Sequence, residues 1–303
     1  MNAGEQLINN RTKWVISVLV FVLCVMLGSG LMFGILYLTG IPVNDDTGIL
    51  ELLNQPQNTW KIRLAFASSH IVGFIVSSLI IGKVLGLLDL QVLIKSIQSF
   101  SIQRLTGWLL LLVACYPLAG LLGYLAGTLP LPEWMSDAEN SSYEALEGLM
   151  TMENSLQLLA NLVVIAVLPG LGEEMFFRGI FQGELQRRMG AGWKIIVISA
   201  FVFAAFHLQF AGFFPKFIIG LVLSASFYYT RNLLYPIVIH VLNNGFHVGL
   251  AYLHPERLQE SIELPSPDAI QISLVILTLP AIYFLFQHLT KDHLDGGSIK
   301  NEA

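Results

Sequence analysis

The chain has 303 residues, 54% of them hydrophobic and only 12% charged, about half the charged fraction of a soluble globular domain. A net charge of -5, without a basic run or aromatic-basic interleaving, argues against a nucleic-acid partner. The two cysteines, Cys24 and Cys115, both lie in apolar runs, which argues against a disulfide framework or a cysteine-based metal site.

What remains is an integral membrane protein, and apolar windows predict eight spans: 14–38, 62–85, 105–127, 156–187, 194–211, 213–229, 234–253 and 270–289. The first is too long for a cleaved signal peptide. No segment alternates as barrel strands do, so the expected fold is all-α, a polytopic transmembrane helical bundle. Lysines and arginines set the orientation. With the N-terminus inside, Arg11, Lys13, Lys83, Lys95, Arg104, Arg187, Arg188, Lys194, Arg231, Lys291 and Lys300 become cytoplasmic, and both termini share that side. Lys61, Arg63, Lys216 and Arg257 dissent. The segment 129–154 carries Glu133, Asp137, Glu139, Glu144, Glu147 and Glu153 with no basic residue. It is expected outside, as a solvated connector whose Trp134, Met135, Tyr143, Leu146, Leu149 and Met150 form an interfacial stripe.

Ionisable groups at bilayer depth cost at least a few kcal/mol each and mark functional sites. Three clusters qualify: Glu173, Glu174 and Arg178 in the fourth span, His207 in the fifth, and His240, Asn243 and Asn244 in the seventh. Glu174 and Arg178 are four residues apart and share a helix face, which predicts a buried ion pair and turns Glu173 elsewhere. His240 and Asn244 share a face for the same reason. Counted from Arg187, Lys194 and Arg231 at 1.5 Å per residue, Glu173, His207 and Asn244 all lie about 20 Å inward, on one stratum.

Such a set suits peptide hydrolysis, which needs a base for water and donors for the oxyanion. Glu173 with His207 would hold and deprotonate the water, and His240 with Asn244 would face the oxyanion. Alternatively, Glu173, His207 and His240 resemble a two-histidine, one-glutamate zinc set with an open position. The HExxH pattern is absent, so a zinc site would draw on three separate helices. The residues leave open whether one zinc or no metal is used.

The segments EEMFFR, FAAFH and HVLNN match EExxxR, FxxxH and HxxxN in that order. Together they resemble the CPBP intramembrane proteases, the Abi family that includes type II CAAX prenyl endopeptidases and lysostaphin-resistance-like proteins. The resemblance covers about a third of the chain. It implies an endopeptidase acting on a membrane-associated peptide or protein in the lipid bilayer, with Glu173, His207, His240 and Asn244 catalytic and Glu174 and Arg178 supporting them. It also implies a core at 156–253, preceded by three spans and the acidic segment (1–155) and followed by an external loop, a final span and a cytoplasmic tail (254–303). The site is expected to open toward the cytoplasm, and a bacterial inner membrane is the expected location. His70 and His247 fit no motif and are expected to be structural. The rival readings are a non-catalytic scaffold or bacteriocin-immunity protein of the same fold and, less well supported, a proton-coupled transporter with Glu173, His207 and His240 as a relay.

Overall fold

A computed structural model describes residues 3–41, 55–87, 94, 96–256 and 267–294. Lys95, Arg257 and Lys300, used above for orientation, lie outside the described residues. The described residues are helical and contain no strand, as the hydropathy pattern predicts. In chain order the helices are α1 (Ala3–Leu38), α2 (Thr59–Leu85), α3 (Ile102–Gly127), α4 (Glu133–Met150), α5 (Ser155–Met189), α6 (Trp193–Phe206), α7 (Phe213–Thr230), α8 (Leu234–Leu253) and α9 (Ala269–Leu294). Six of these are long and apolar enough to cross a bilayer: α1, α2, α3, α5, α7 and α9. The expectation of eight included two more. α6 has 14 residues and reaches about 21 Å, short of the roughly 30 Å hydrocarbon layer. α8 has the length, at 20 residues, but carries His240, Asn243, Asn244 and His247.

The core lies among α3, α5, α6, α7 and α8, around Trp108, Phe177, Phe203, Leu223, Tyr235 and Ile239, all buried. α1 and α9 instead leave large apolar side chains exposed, among them Leu19, Leu23, Met26, Leu277 and Phe284, as helices facing lipid would. α2 and α5 are interrupted by π-helical turns, Ile71–Val76 in α2 and Leu162–Val167 and Met175–Gln182 in α5. Such turns redirect side chains and free carbonyls, and they gather at functional sites. α5 also carries two glycines where neighbours come close. A Cβ on Gly170 would lie 2.6 Å from Val241 Cγ2 of α8, and one on Gly172 would lie 2.9 Å from Phe74 Cβ of α2. Only glycine admits both neighbours at once, so α5 sits tight between α2 and α8.

Two sequence expectations change here. α6 ends at Phe206, so His207 caps a helix instead of lying within one; Leu208 follows in a left-handed conformation at φ 53 and turns the chain away. α4 is not a solvated connector. Leu149, Met150 and Glu139 are buried, while Trp134 stays exposed with its ring edge-on to Phe210 at 5.9 Å. The C-terminal end of the stripe, at Leu149 and Met150, is buried against protein, whereas Trp134 and Leu146 are exposed.

Arg63, one of the dissenting cations, is fully buried near the start of α2. Its Nε donates to Asn161 Oδ1 at 2.6 Å and its Nη2 to the Thr151 carbonyl at 3.1 Å, fastening α2 to the α4–α5 junction. Its charge sits in a protein joint rather than in a loop, which is why a loop-charge rule misplaces it.

Candidate active site

Glu173 and Glu174 are adjacent in α5 and differ in every contact. Glu174 is fully buried, and its Oε1 accepts from Arg178 Nη1 at 2.8 Å and meets His240 Nδ1 at 2.7 Å. Arg178 in turn donates from Nη2 to the Gly220 carbonyl at 3.2 Å, and its guanidinium lies 4.4 Å from the centre of the Phe203 ring. The expected ion pair is therefore present, extended by His240 on one side and by a cation–π contact on the other.

Glu173 has no such saturation. Its Oε1 lies 3.5 Å from His70 Nε2, and its Oε2 lies 3.9 Å from His207 Nε2. Oε2 is buried and has no hydrogen-bond partner among the described residues. Buried polar atoms are nearly always paired, so this oxygen requires an explanation, as does Glu174 Oε2, which also lacks a partner among the described residues.

The two histidines of the motifs are each fixed through Nδ1. His207 Nδ1 is 2.8 Å from the Phe203 carbonyl, an obligate acceptor, so Nδ1 carries the proton and Nε2 of the neutral ring turns a lone pair toward Glu173. His240 gives Nδ1–H to Glu174, leaving Nε2 as its free nitrogen. Phe203 joins all three motifs: beneath the Arg178 guanidinium, its ring meets His207 at 4.9 Å and His240 at 5.8 Å, both edge to face.

The amides of α8 form a chain. Tyr116 of α3 donates its hydroxyl to Asn243 Oδ1 at 2.8 Å, Asn243 Nδ2 donates to Asn244 Oδ1 at 3.0 Å, and Asn244 Nδ2 donates to the Ile165 carbonyl at 3.2 Å. Ile165 belongs to the first π-helical turn of α5, where such a carbonyl is available. An amide nitrogen carries two hydrogens, so Asn244 keeps one.

These groups line one cavity of about 450 Å3 with Glu173, His70, His207, His240, Asn243, Asn244 and His247 in its wall. Its far wall is α4, through Tyr143, Leu146, Leu149 and Met150. Glu139 of α4 is fastened to the loop after His207: its carboxylate accepts from the backbone N–H groups of Ala211 at 3.0 Å and Gly212 at 3.1 Å. The Tyr143 hydroxyl donates to Glu139 at 3.3 Å, and burial, then the neighbouring Glu139 carboxylate, push this phenol up to about 12, so it remains a donor. The helix order puts α4 at the bundle end opposite Arg187, Lys194 and Arg231.

Glu173, His207, His240 and Asn244 thus line one cavity, and Glu174, paired with Arg178, touches His240. Around these residues the structure adds contacts from His70, Tyr116 and Glu139, and Asn243, the neighbour of the motif asparagine, takes a hydrogen-bonding part; Phe203 carries the one further sequence signal, the FxxxH pattern itself. A zinc set of Glu173, His207 and His240 is not assembled: among the described residues no three His, Cys, Asp or Glu side chains are grouped as a metal would need.

The profile of the type II CAAX prenyl endopeptidase Rce1-like family matches residues 155–246, which include every motif residue. The chain is also 32% identical over 105 residues to the membrane-embedded CAAX protease MroQ of Staphylococcus aureus (strain USA300), an alignment covering 33% of this chain and 42% of MroQ. The chain thus spans under half the length of this curated relative. No solved structure matches. Through residues 155–246, with their three motifs meeting in one cavity, the chain is similar to the CPBP/CAAX proteases.

Proposed function

We propose that the chain is an intramembrane endopeptidase of the CAAX protease 2 kind, hydrolysing a peptide bond of a membrane-associated peptide or protein with a water activated by Glu173. One observation carries this reading: Glu173 Oε2 is a buried, unpartnered carboxylate oxygen 3.9 Å from the lone pair of His207 Nε2. Two acceptors at that separation are too far apart to bond directly and call for a donor between them. A water satisfies both by giving one O–H to each, which leaves its own lone pairs for attack.

The reaction then runs on groups already in the cavity wall. Glu173 Oε2 takes a water proton as the oxygen adds to the scissile carbonyl carbon. The developing oxyanion meets the spare Asn244 Nδ2–H and His240 Nε2. That nitrogen offers a hydrogen only as imidazolium, and Glu174 at 2.7 Å from Nδ1 offsets the charge. Collapse breaks the C–N bond, and Glu173 returns its proton to the leaving amine. The Arg178 partnership keeps Glu174 from competing as a base.

The type II CAAX prenyl endopeptidase description and the name of MroQ support the reaction class, and a Staphylococcus relative supports a bacterial cytoplasmic membrane as the location. For orientation we keep both termini cytoplasmic. Burial of Arg63 inside the bundle and of much of Lys216, held against Gln209 in the cavity wall, removes two of the four dissenting cations from the loops. The test is a comparison of membrane proteomes from cells carrying wild-type, Glu173→Ala or His207→Ala protein. Junctions cut only by wild-type, with all three proteins inserted at equal level, are the expected result. Equal processing by either variant would overturn the assignment.

A further inference from the structure

His70 stands outside every motif and outside the family segment 155–246, yet its Nε2 is 3.5 Å from Glu173 Oε1. Three features of the chain place it there. The π-helical turn Ile71–Val76 begins at the next residue and changes the pitch of α2 where it meets α5. Gly172, the residue before Glu173, admits the side chains of that turn: a Cβ there would lie 2.9 Å from Phe74 Cβ and 3.1 Å from Ile75 Cγ1. From behind, Gly28 of α1 presses on the neighbouring backbone, where a Cβ would come 2.8 Å from the Ser69 carbonyl oxygen. The ring itself stacks on Phe74, centroids 5.5 Å apart and 26° from parallel, with its edge in the cavity wall. A histidine serving only to fill space would have no cause to aim a ring nitrogen at the least saturated carboxylate of the membrane interior.

Resting on the proteolytic reading above, we infer that His70 is a positioning residue for Glu173: its Nε2–H donates to Oε1 and fixes the carboxylate so that Oε2 alone faces His207 and the water. A distance of 3.5 Å is long for a formed bond, and such bonds tighten when substrate completes the site. His70 exchanges no proton during turnover. The water proton passes to Glu173 Oε2 and from there to the leaving amine, while the His70 bond holds the plane in which this happens. The working site therefore spans both halves of the chain.

The experiment uses the full-length protein with His70→Phe, which keeps the ring stack but has no donor, and His70→Gln, whose amide N–H reaches the same position. Both are compared with wild-type and Glu173→Gln in the proteome assay, and then with an internally quenched peptide spanning a Glu173-dependent junction. His70→Phe is expected to lower kcat about 10- to 100-fold, as misplacement of a reacting group does, with KM and unfolding midpoint held. His70→Gln is expected to recover most of that loss. Wild-type rates in His70→Phe beside an inactive Glu173→Gln would overturn the role of His70 alone. So would a lowered unfolding midpoint in His70→Phe that matches its loss of rate, or a His70→Gln as slow as His70→Phe. If no junction depends on Glu173, the proteolytic reading falls and this inference with it.

Discussion

From α5 to α8 the polar side chains come in pairs at helical spacing, and each pair is answered within that same half of the chain: Glu174 by Arg178 and His240, His207 by the Phe203 carbonyl. From α1 to α4 the contacts that reach the cavity cross the molecule: His70 to Glu173, Tyr116 to Asn243, and Glu139, which also accepts from Tyr143 of its own helix, to the backbone of Ala211 and Gly212. The first half of the chain thus helps to hold the groups proposed to do chemistry in their orientation. Within a bilayer, where unpaired polar groups are expensive, this means the unmatched N-terminal helices are a fitted wall of the site and not a generic anchor.

The widest gap between variants is expected at the two adjacent glutamates. Glu173→Gln removes the proposed base and should reduce processing about 1000-fold, within the range of general-base effects, with little change in unfolding midpoint in detergent. Glu174→Gln instead strands the fully buried Arg178 and should destabilise the fold by about 3 to 5 kcal/mol, seen as a lowered midpoint and less inserted protein. If the two phenotypes were exchanged, the division between a reacting and a bracing glutamate would be wrong.

That division was legible in sequence because the bilayer makes every polar residue informative, and four-residue spacing decides which of two adjacent glutamates can meet Arg178. The fold class was legible for the same reason. Less could be read where the partner is not encoded by spacing. A lone His70 in an apolar span has no periodic companion, and its position depends on a π-helical turn of ordinary apolar residues, IVGFIV, that carries no compositional mark. The end of α6 before His207 was missed because Leu208 adopts a left-handed conformation that its residue type does not advertise. α4 was misjudged because an apolar stripe looks the same whether lipid or protein covers it, and because the partners of Glu139 are backbone N–H groups.

The next effect in size concerns α4. Glu139→Ala removes a carboxylate that accepts two backbone N–H bonds, and bonds to charged groups contribute about 1.5 to 3 kcal/mol each. The expected outcome is a midpoint lowered by a few degrees and faster amide exchange at Ala211 and Gly212, together with a rate loss of about tenfold as His207 loses a steady loop. Unchanged exchange at those amides would mean that α4 lies against the loop without holding it.

The smallest effect is expected at Tyr116, and it tests how far α3 belongs to the site. Tyr116→Phe deletes one hydroxyl donor to Asn243 Oδ1, a contribution of about 1 kcal/mol, or roughly fivefold in rate if all of it reaches the reacting centre. Asn244→Ala removes a proposed oxyanion donor directly and should lower kcat about 100-fold or more. Because the chain runs from Tyr116 through Asn243 to Asn244, the two changes should not add: once Asn244 is gone, the amide that Tyr116 orients, Asn243, no longer leads to the proposed oxyanion donor. A double-mutant cycle on kcat separates the cases, since a coupling of about 0.5 kcal/mol or more requires a shared partner, whereas independent sites add within about 0.3 to 0.5 kcal/mol. Additive losses would leave Tyr116 a packing residue of α3 and confine the working site to His70 and the motif half.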